Sequence, residues 1–255
     1  TGGSADRPIN EVGTGSIRNL TINNTQTYNL HANLSLDGNL TLNAGTLTTV
    51  NSGGTNNTLT VAGDLLIHPS ASAGTDAPST LTCNGSTITV GGKISTQGTF
   101  HSASNDFVPD GNFNGGSATI SCNSFQAIAG GNITLSSGNM TIDGLDGGAS
   151  FRVDTGLATN TYSHGNGTVT FTGGNNQNLY RTGSTDFTPF YNLVIDKSAN
   201  EVRYLDTVGF NTTVANNMTI TAGTFNTNES DGANPRNLTV AGGIKNTGTL
   251  TANAS

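Results

Sequence analysis

The chain has 255 residues, a formal net charge of -7, 10% charged and 6% aromatic side chains, and no Trp. About half of it is Thr, Asn, Ser and Gly, too poor in helix formers for a helical protein and too weakly charged for a disordered one. Nine Lys and Arg scattered over an acidic chain cannot track a phosphate backbone, and no apolar run reaches membrane-spanning length, so nucleic acid and membrane insertion are excluded as partners.

Short runs of the form apolar-Thr-apolar recur along the chain. Leu20-Thr21-Ile22, Leu34-Ser35-Leu36, Leu40-Thr41-Leu42, Leu59-Thr60-Val61, Leu81-Thr82-Cys83 and Ile88-Thr89-Val90 open the series. Ile133-Thr134-Leu135, Met140-Thr141-Ile142, Val169-Thr170-Phe171, Leu193-Val194-Ile195, Met218-Thr219-Ile220 and Leu238-Thr239-Val240 continue it. A period of two predicts strands with the aliphatics on one face and Thr on the other. Gly, Asn or Asp follows most runs and predicts tight turns. No helix-period segment lies between them, which excludes a doubly wound sheet with crossover helices.

Residues 19–65 and 192–244 repeat each other: NLTLNAGTLTT faces NMTITAGTFNT, and NTLTVAGDL faces RNLTVAGGI. Self-similarity of this kind marks stacked units, and the low hydrophobic share of 33% suits a thin core with few inward side chains per turn. The predicted fold is an all-β parallel β-helix, a single solenoid domain over 1–255; an antiparallel β-roll is the alternative. Asn19, Asn39, Asn132, Asn192, Asn217 and Asn237 each precede a strand, and stacking in register predicts an amide ladder. Residues 99–117 and 155–191 break the rhythm and read as loop excursions. Their Phe107, Phe113, Tyr180, Phe187 and Tyr191 are the candidate ligand-contact aromatics.

The stretch TYSHGNGTVTFTGGNNQNL, then FYNLVIDKS, resembles a repeat of large bacterial surface proteins. Asn166-Gly167-Thr168-Val169-Thr170-Phe171, Gln177, Phe190-Tyr191-Asn192-Leu193 and Asn217-Met218-Thr219-Ile220 carry the likeness. It covers most of 161–244, loosely 19–65, and fits 99–160 less well. The resemblance implies a right-handed parallel β-helix of adhesin-like type, exported to the cell surface, structural or adhesive, with no cofactor.

Candidate chemistry is sparse. Cys83 and Cys122 end similar strands and either form a disulfide or stay two buried thiols. Asp106, Asp110, Asn112 and Asn114 have a spacing that suits calcium, without the bidentate Glu of the full loop pattern; an ordinary polar loop is the competing reading. Asp143, Asp146 and Asp154 near Arg152 are the best acidic cluster, but IDGLDGG is also turn chemistry. His31, His68, His101 and His164 stand apart from one another. Asn166, Asn211 and Asn228 are candidate glycosylation sites, because the many other sequons arise from strands written Asn-apolar-Thr.

No enzymatic activity is expected. The chain lacks an initial Met and a signal segment, reading as a mature, processed chain or a fragment, and NTGTLTANAS at its end still reads as strand. The expectation is a subunit or segment of an extracellular filament or surface stalk, its partner itself, joined head to tail as a homopolymer. The alternative is an adhesin or carbohydrate-binding module whose partners are glycans or other cell surfaces. Outward Thr pairs such as Thr87/Thr89 and Thr168/Thr170 also suggest ice binding, against which the irregular strand spacing counts. A polysaccharide lyase or hydrolase comes last.

Overall fold

The computed structural model describes residues 7–9, 17–67, 79–97, 99–100, 107–108, 112–128, 133–145, 149–153, 162–180, 187–204, 211–229 and 237–251. The apolar-Thr-apolar runs form strands, and their burial alternates as a period of two requires. Leu34–Leu36, Leu59–Val61 and Leu65–Ile67 each bury their outer two residues and turn the middle one outward. Among the described residues, pairing is parallel except for Thr99–Phe100 with Phe107–Val108 and one bridge from Val50 to Asn56. The molecule is a parallel β-solenoid with three faces per turn.

Face I runs through residues 20–22, 40–42, Leu65–Ile67, Lys93–Gln97, Ser124–Ile128, Phe151–Val153, Gln177–Tyr180, 202–204, 224–226 and Thr249–Thr251. Face II holds Arg7–Ile9, 27–30, 46–48, Thr80–Thr82, Asn112–Asn114, Ile133–Thr134 and Tyr162–Ser163, then Phe187–Phe190, Thr212–Val214 and Leu238–Val240. Face III stacks Leu34–Leu36, Leu59–Val61, Thr87–Val90, Thr119–Cys122, Asn139–Ile142, Thr168–Phe171, 192–195, 218–220 and Ile244–Asn246. The long strands Leu20–Leu30 and Leu40–Thr48 bend across faces I and II, whereas Asn192–Tyr204 and Met218–Glu229 bend across faces III and I.

The two repeat copies therefore occupy different faces. Residues 40–42 lie on face I and their counterparts 218–220 on face III; 59–61 lie on face III and 238–240 on face II. The copies are rotated by one face about the solenoid axis. All three faces obey the same alternation, so the repeated letters specify strand and corner without specifying which face they join.

The three corners differ. At the face II to III corner the backbone turns through left-handed residues, among them Asn84 (φ 50) and Asn166 (φ 63), a conformation Asn tolerates through its short polar side chain. The face III to I corner is held by side-chain acceptors one turn apart. Asn39 N–H donates to Asn19 Oδ1 (2.7 Å), Asp64 N–H to Asn39 Oδ1 (2.9 Å) and Lys93 N–H to Asp64 Oδ1 (3.1 Å). The ladder thus runs from side-chain oxygen to the backbone of the next turn, not amide to amide. Asn192 and Asn217 form a second ladder, to Asn217 N–H (3.3 Å) and Gly243 N–H (2.9 Å), at another corner. Asn132 lies outside the described residues.

Connections of varying length leave from all three corners: residues 49–58 join face II to face III, 143–150 join face III to face I, and most of the other long ones join face I to face II. Segments 68–78, 129–132, 154–161, 181–186, 205–210 and 230–236 lie outside the described residues, and each joins a face I strand to the next face II strand. The expected excursion at 99–117 leaves from the face I to II corner, but Asn112–Asn114 already returns to face II. Most of the expected excursion at 155–191 is ordinary solenoid: Tyr162–Ser163, Thr168–Phe171, Gln177–Tyr180 and Phe187–Phe190 are all rungs.

The core is aliphatic in the early turns, where Leu40, Leu42, Leu59, Leu65 and Ile67 have no exposed surface. Full burial of each such side chain is worth about 1.5–3 kcal/mol. Midway it becomes aromatic: Phe125 sits 5.4 Å from Phe113 and 5.6 Å from Phe151, which sits 5.0 Å from Phe190. Phe113 is therefore a core residue, 1% exposed, and not a surface aromatic as expected.

Candidate functional site

A solenoid offers ligands its ends and its flanks. At one end of the described rungs the core stays open. Val214, Met218 and Phe225 are at most 1% exposed, yet their register partners one turn on are not covered: Val240 and Leu250 are half-buried and Ile244 is 52% exposed. Among the described residues, these last strands have a hydrogen-bonded neighbour on one side only.

On the flank, the face III to I corner of the last turns forms a polar groove of about 780 Å³, lined by Asn176, Asn200, Glu201, Thr221, Thr224 and Thr247 among others. Register lines up Glu201, Thr224 and Thr249 along it. Beside the groove on face I, Arg203 contacts Glu201 (3.4 Å) and donates through Nε to Asn178 Oδ1 (3.2 Å), while Asn226 Nδ2 donates to Glu201 Oε2 (2.9 Å). Arg152 lies over the Tyr180 ring, 4.6 Å from its centroid, an arrangement that joins positive charge to a ring face.

Beneath the same corner lies Lys197, 1% exposed, its Nζ donating to Thr172 O (2.9 Å) and Gln177 Oε1 (2.8 Å). Gln177 Nε2 donates onward to Ile142 O (3.0 Å). Burial pulls the Lys197 ammonium down to about 8. The sequence reasoning missed this pair, although the signal was present: Leu193, Ile195 and Lys197 follow the inward period of two.

The other expected residues are dispersed. Cys83 and Cys122 are free and buried. Cys83 N–H bonds to Asn114 O (2.9 Å) at the face II to III corner, while Cys122 pairs in register with Ile142 on face III, so they are not stacking partners and the disulfide is not formed. Burial pushes the Cys83 thiol up to about 12 and Cys122 higher still, with the Asp143 charge adding to it, so both are poor nucleophiles. Of the calcium candidates, Asp106 and Asp110 lie outside the described residues, as do the side chains of Asn112, Phe107, Phe187 and Asn228. Asn114 is exposed and accepts from Gly116 N–H (3.1 Å). Tyr191 packs against His164 with ring centroids 5.4 Å apart, and burial lowers the His164 pKa.

Asn166 is exposed in its turn, whereas Asn211 Oδ1 accepts from Asn237 N–H (3.3 Å) in a ladder. Asp143 is exposed, and Asp146 and Asp154 lie outside the described residues, as do His68 and His101. Among the described residues no three of His, Cys, Asp and Glu converge as a metal site.

Compared with protein-family models, curated proteins and solved structures, the chain matches none.

Proposed function

We propose that this chain is a structural module of an extracellular filament or surface stalk, in which one copy's open end rung is covered by an end rung of the next. The observation that carries this reading is the run of parallel rungs, in which each described turn buries the same inward apolar positions against the next. Leaving such side chains in water forfeits burial worth about 1.5–3 kcal/mol each, and a further rung with the same alternation recovers it. A parallel rung can add only head to tail, and a head-to-tail contact without rotational closure propagates as a fibre. The low charge supports close stacking, and the resemblance to bacterial surface repeats supports an exported location.

Electron microscopy and light scattering of the purified chain test this directly. End-to-end rods that lengthen with concentration are expected, and Ile244→Asp should shorten them while leaving the melting temperature within a few degrees. Monodisperse single particles at every concentration would remove the proposal.

The groove favours a second reading, a carbohydrate-binding surface module, since Thr hydroxyls, Asn amides and the Glu201 carboxylate can bond sugar hydroxyls. A glycan array in which Glu201→Ala abolishes a signal supports it; an array without hits counts against it.

A further inference from the structure

Face III has an order that the strand spacing in the sequence conceals. Its corners do carry long connections, residues 49–58 before Leu59–Val61 and 143–150 after Asn139–Ile142, yet its strands stay in step with one another. Its pairings from Leu34–Leu36 through Ile244–Asn246 carry no register shift on the face itself; those in Asn192–Tyr204 begin only after Ile195.

Its outward residues form two columns of small, uncharged side chains. In one, Thr60, Thr89, Ser121, Thr141 and Thr170 are successive register partners. In the other, two residues earlier on each strand, Thr87 pairs with Thr119, and Asn139 with Thr168 and then Asn192. Both columns stay uncharged until Lys245, although the chain holds 16 Asp and Glu. The hydroxyls of Thr60, Thr89, Ser121, Thr141 and Thr170 bond to no other protein group and are half-exposed or exposed.

From this geometry we infer that face III adsorbs to ice. Parallel rungs repeat every ~4.8 Å, and i, i+2 neighbours on a strand stand ~6.6 Å apart. Water bonded tetrahedrally at an O···O distance of ~2.75 Å places second neighbours ~4.5 Å apart. Adjacent rungs match that lattice to ~0.3 Å, so a patch of three or four rungs holds phase within ~1 Å. Threonine suits the contact, because its methyl and hydroxyl sit on one stiff β-branched carbon whose rotamer the sheet restricts. Without charge, the face does not impose the tight hydration shell of an ion on the first water layer. A crystalline polysaccharide is the competing flat lattice, but flat sugar rings pack on aromatic platforms and these two columns contain no aromatic residue.

The test is thermal hysteresis and ice recrystallisation with the intact chain, beside binding to microcrystalline cellulose and chitin. The wild type is expected to show hysteresis above a buffer and serum-albumin baseline and to concentrate on growing ice. The triple change Thr89→Lys, Thr141→Lys and Thr170→Lys should cut hysteresis at least fivefold with an unchanged circular dichroism spectrum. Thr82→Lys, on face II, should leave it intact. Because three lysines in one column repel one another, Thr141→Tyr alone serves as a milder probe and should cut activity at least twofold. Wild-type hysteresis at the baseline, an equal loss from Thr82→Lys, or retention on cellulose or chitin without activity on ice would each overturn the inference.

Discussion

Lys197 is the one buried cation among the described side chains, and it is held by neutral oxygens rather than a carboxylate. Its folded pKa of about 8 lies below its ordinary value of 10.5, so the unfolded chain holds the proton more tightly. The cost of burying the charge is fully present below pH 8, and stability from this group rises as pH climbs from about 8 to 10.5. Tyr204 and the two cysteines, their pKa values raised by burial, act in the opposite sense at high pH. The difference between wild type and Lys197→Met isolates the lysine: denaturant midpoints across pH 7–10.5 should show a wild-type gain that the variant lacks, and parallel curves would refute it.

The ladder corner makes an equally local demand. A Cβ on Gly63 would stand 2.1 Å from Asn39 Oδ1, the atom that caps Asp64 N–H. Gly63→Ala should cost about 1–3 kcal/mol and Asn39→Ala about 1 kcal/mol. The double variant should cost less than their sum, because the clash partner is gone; strict additivity in urea melts would contradict this.

At the scale of the strand, alternation does the work. Leu59 is fully buried on face III between Leu34 and Ile88, while its neighbour Thr60 points out. Leu59→Asp places an unpaired carboxylate in the core and should abolish cooperative folding, whereas Thr60→Ser should shift stability by less than about 0.5 kcal/mol. A large loss from Thr60→Ser in thermal melts would mean the faces are reversed.

The strands legible in the sequence were those with two inward residues. Face II strands were harder, because several present a single inward residue between polar ones. Asn112–Asn114 is NFN, with only Phe113 turned to the core. An apolar residue flanked by asparagines reads as loop until the neighbouring Leu81 and Ile133 are seen on either side of it. Phe113 was misplaced for the same reason: bulk in an irregular stretch looks like surface decoration until the core needs it.

At the scale of the whole molecule, stacking converts local errors and local order into long-range ones. Every turn contacts only its neighbours, so stability is close to a sum over rungs and the weakest rungs are those with one neighbour. The Ile244→Asp experiment belongs at this scale, since it alters the surface offered to the next rung while the turns below keep their burial. The groove, the Arg152–Tyr180 pair and the face III columns are likewise products of stacking: each gathers residues about 20–30 positions apart in sequence.

The sequence by itself determined the strands, the capping asparagines and the thin core, because a period of two and a turn residue act within a few positions of one another. The tertiary structure alone decided which face each strand joins, that the two repeat copies stand one face apart, and that Lys197 and Phe113 turn inward. The reason is that any of the three faces accepts the same alternating strand. The lengths of the corners, summed around the coil, set the phase, and no local pattern records that sum.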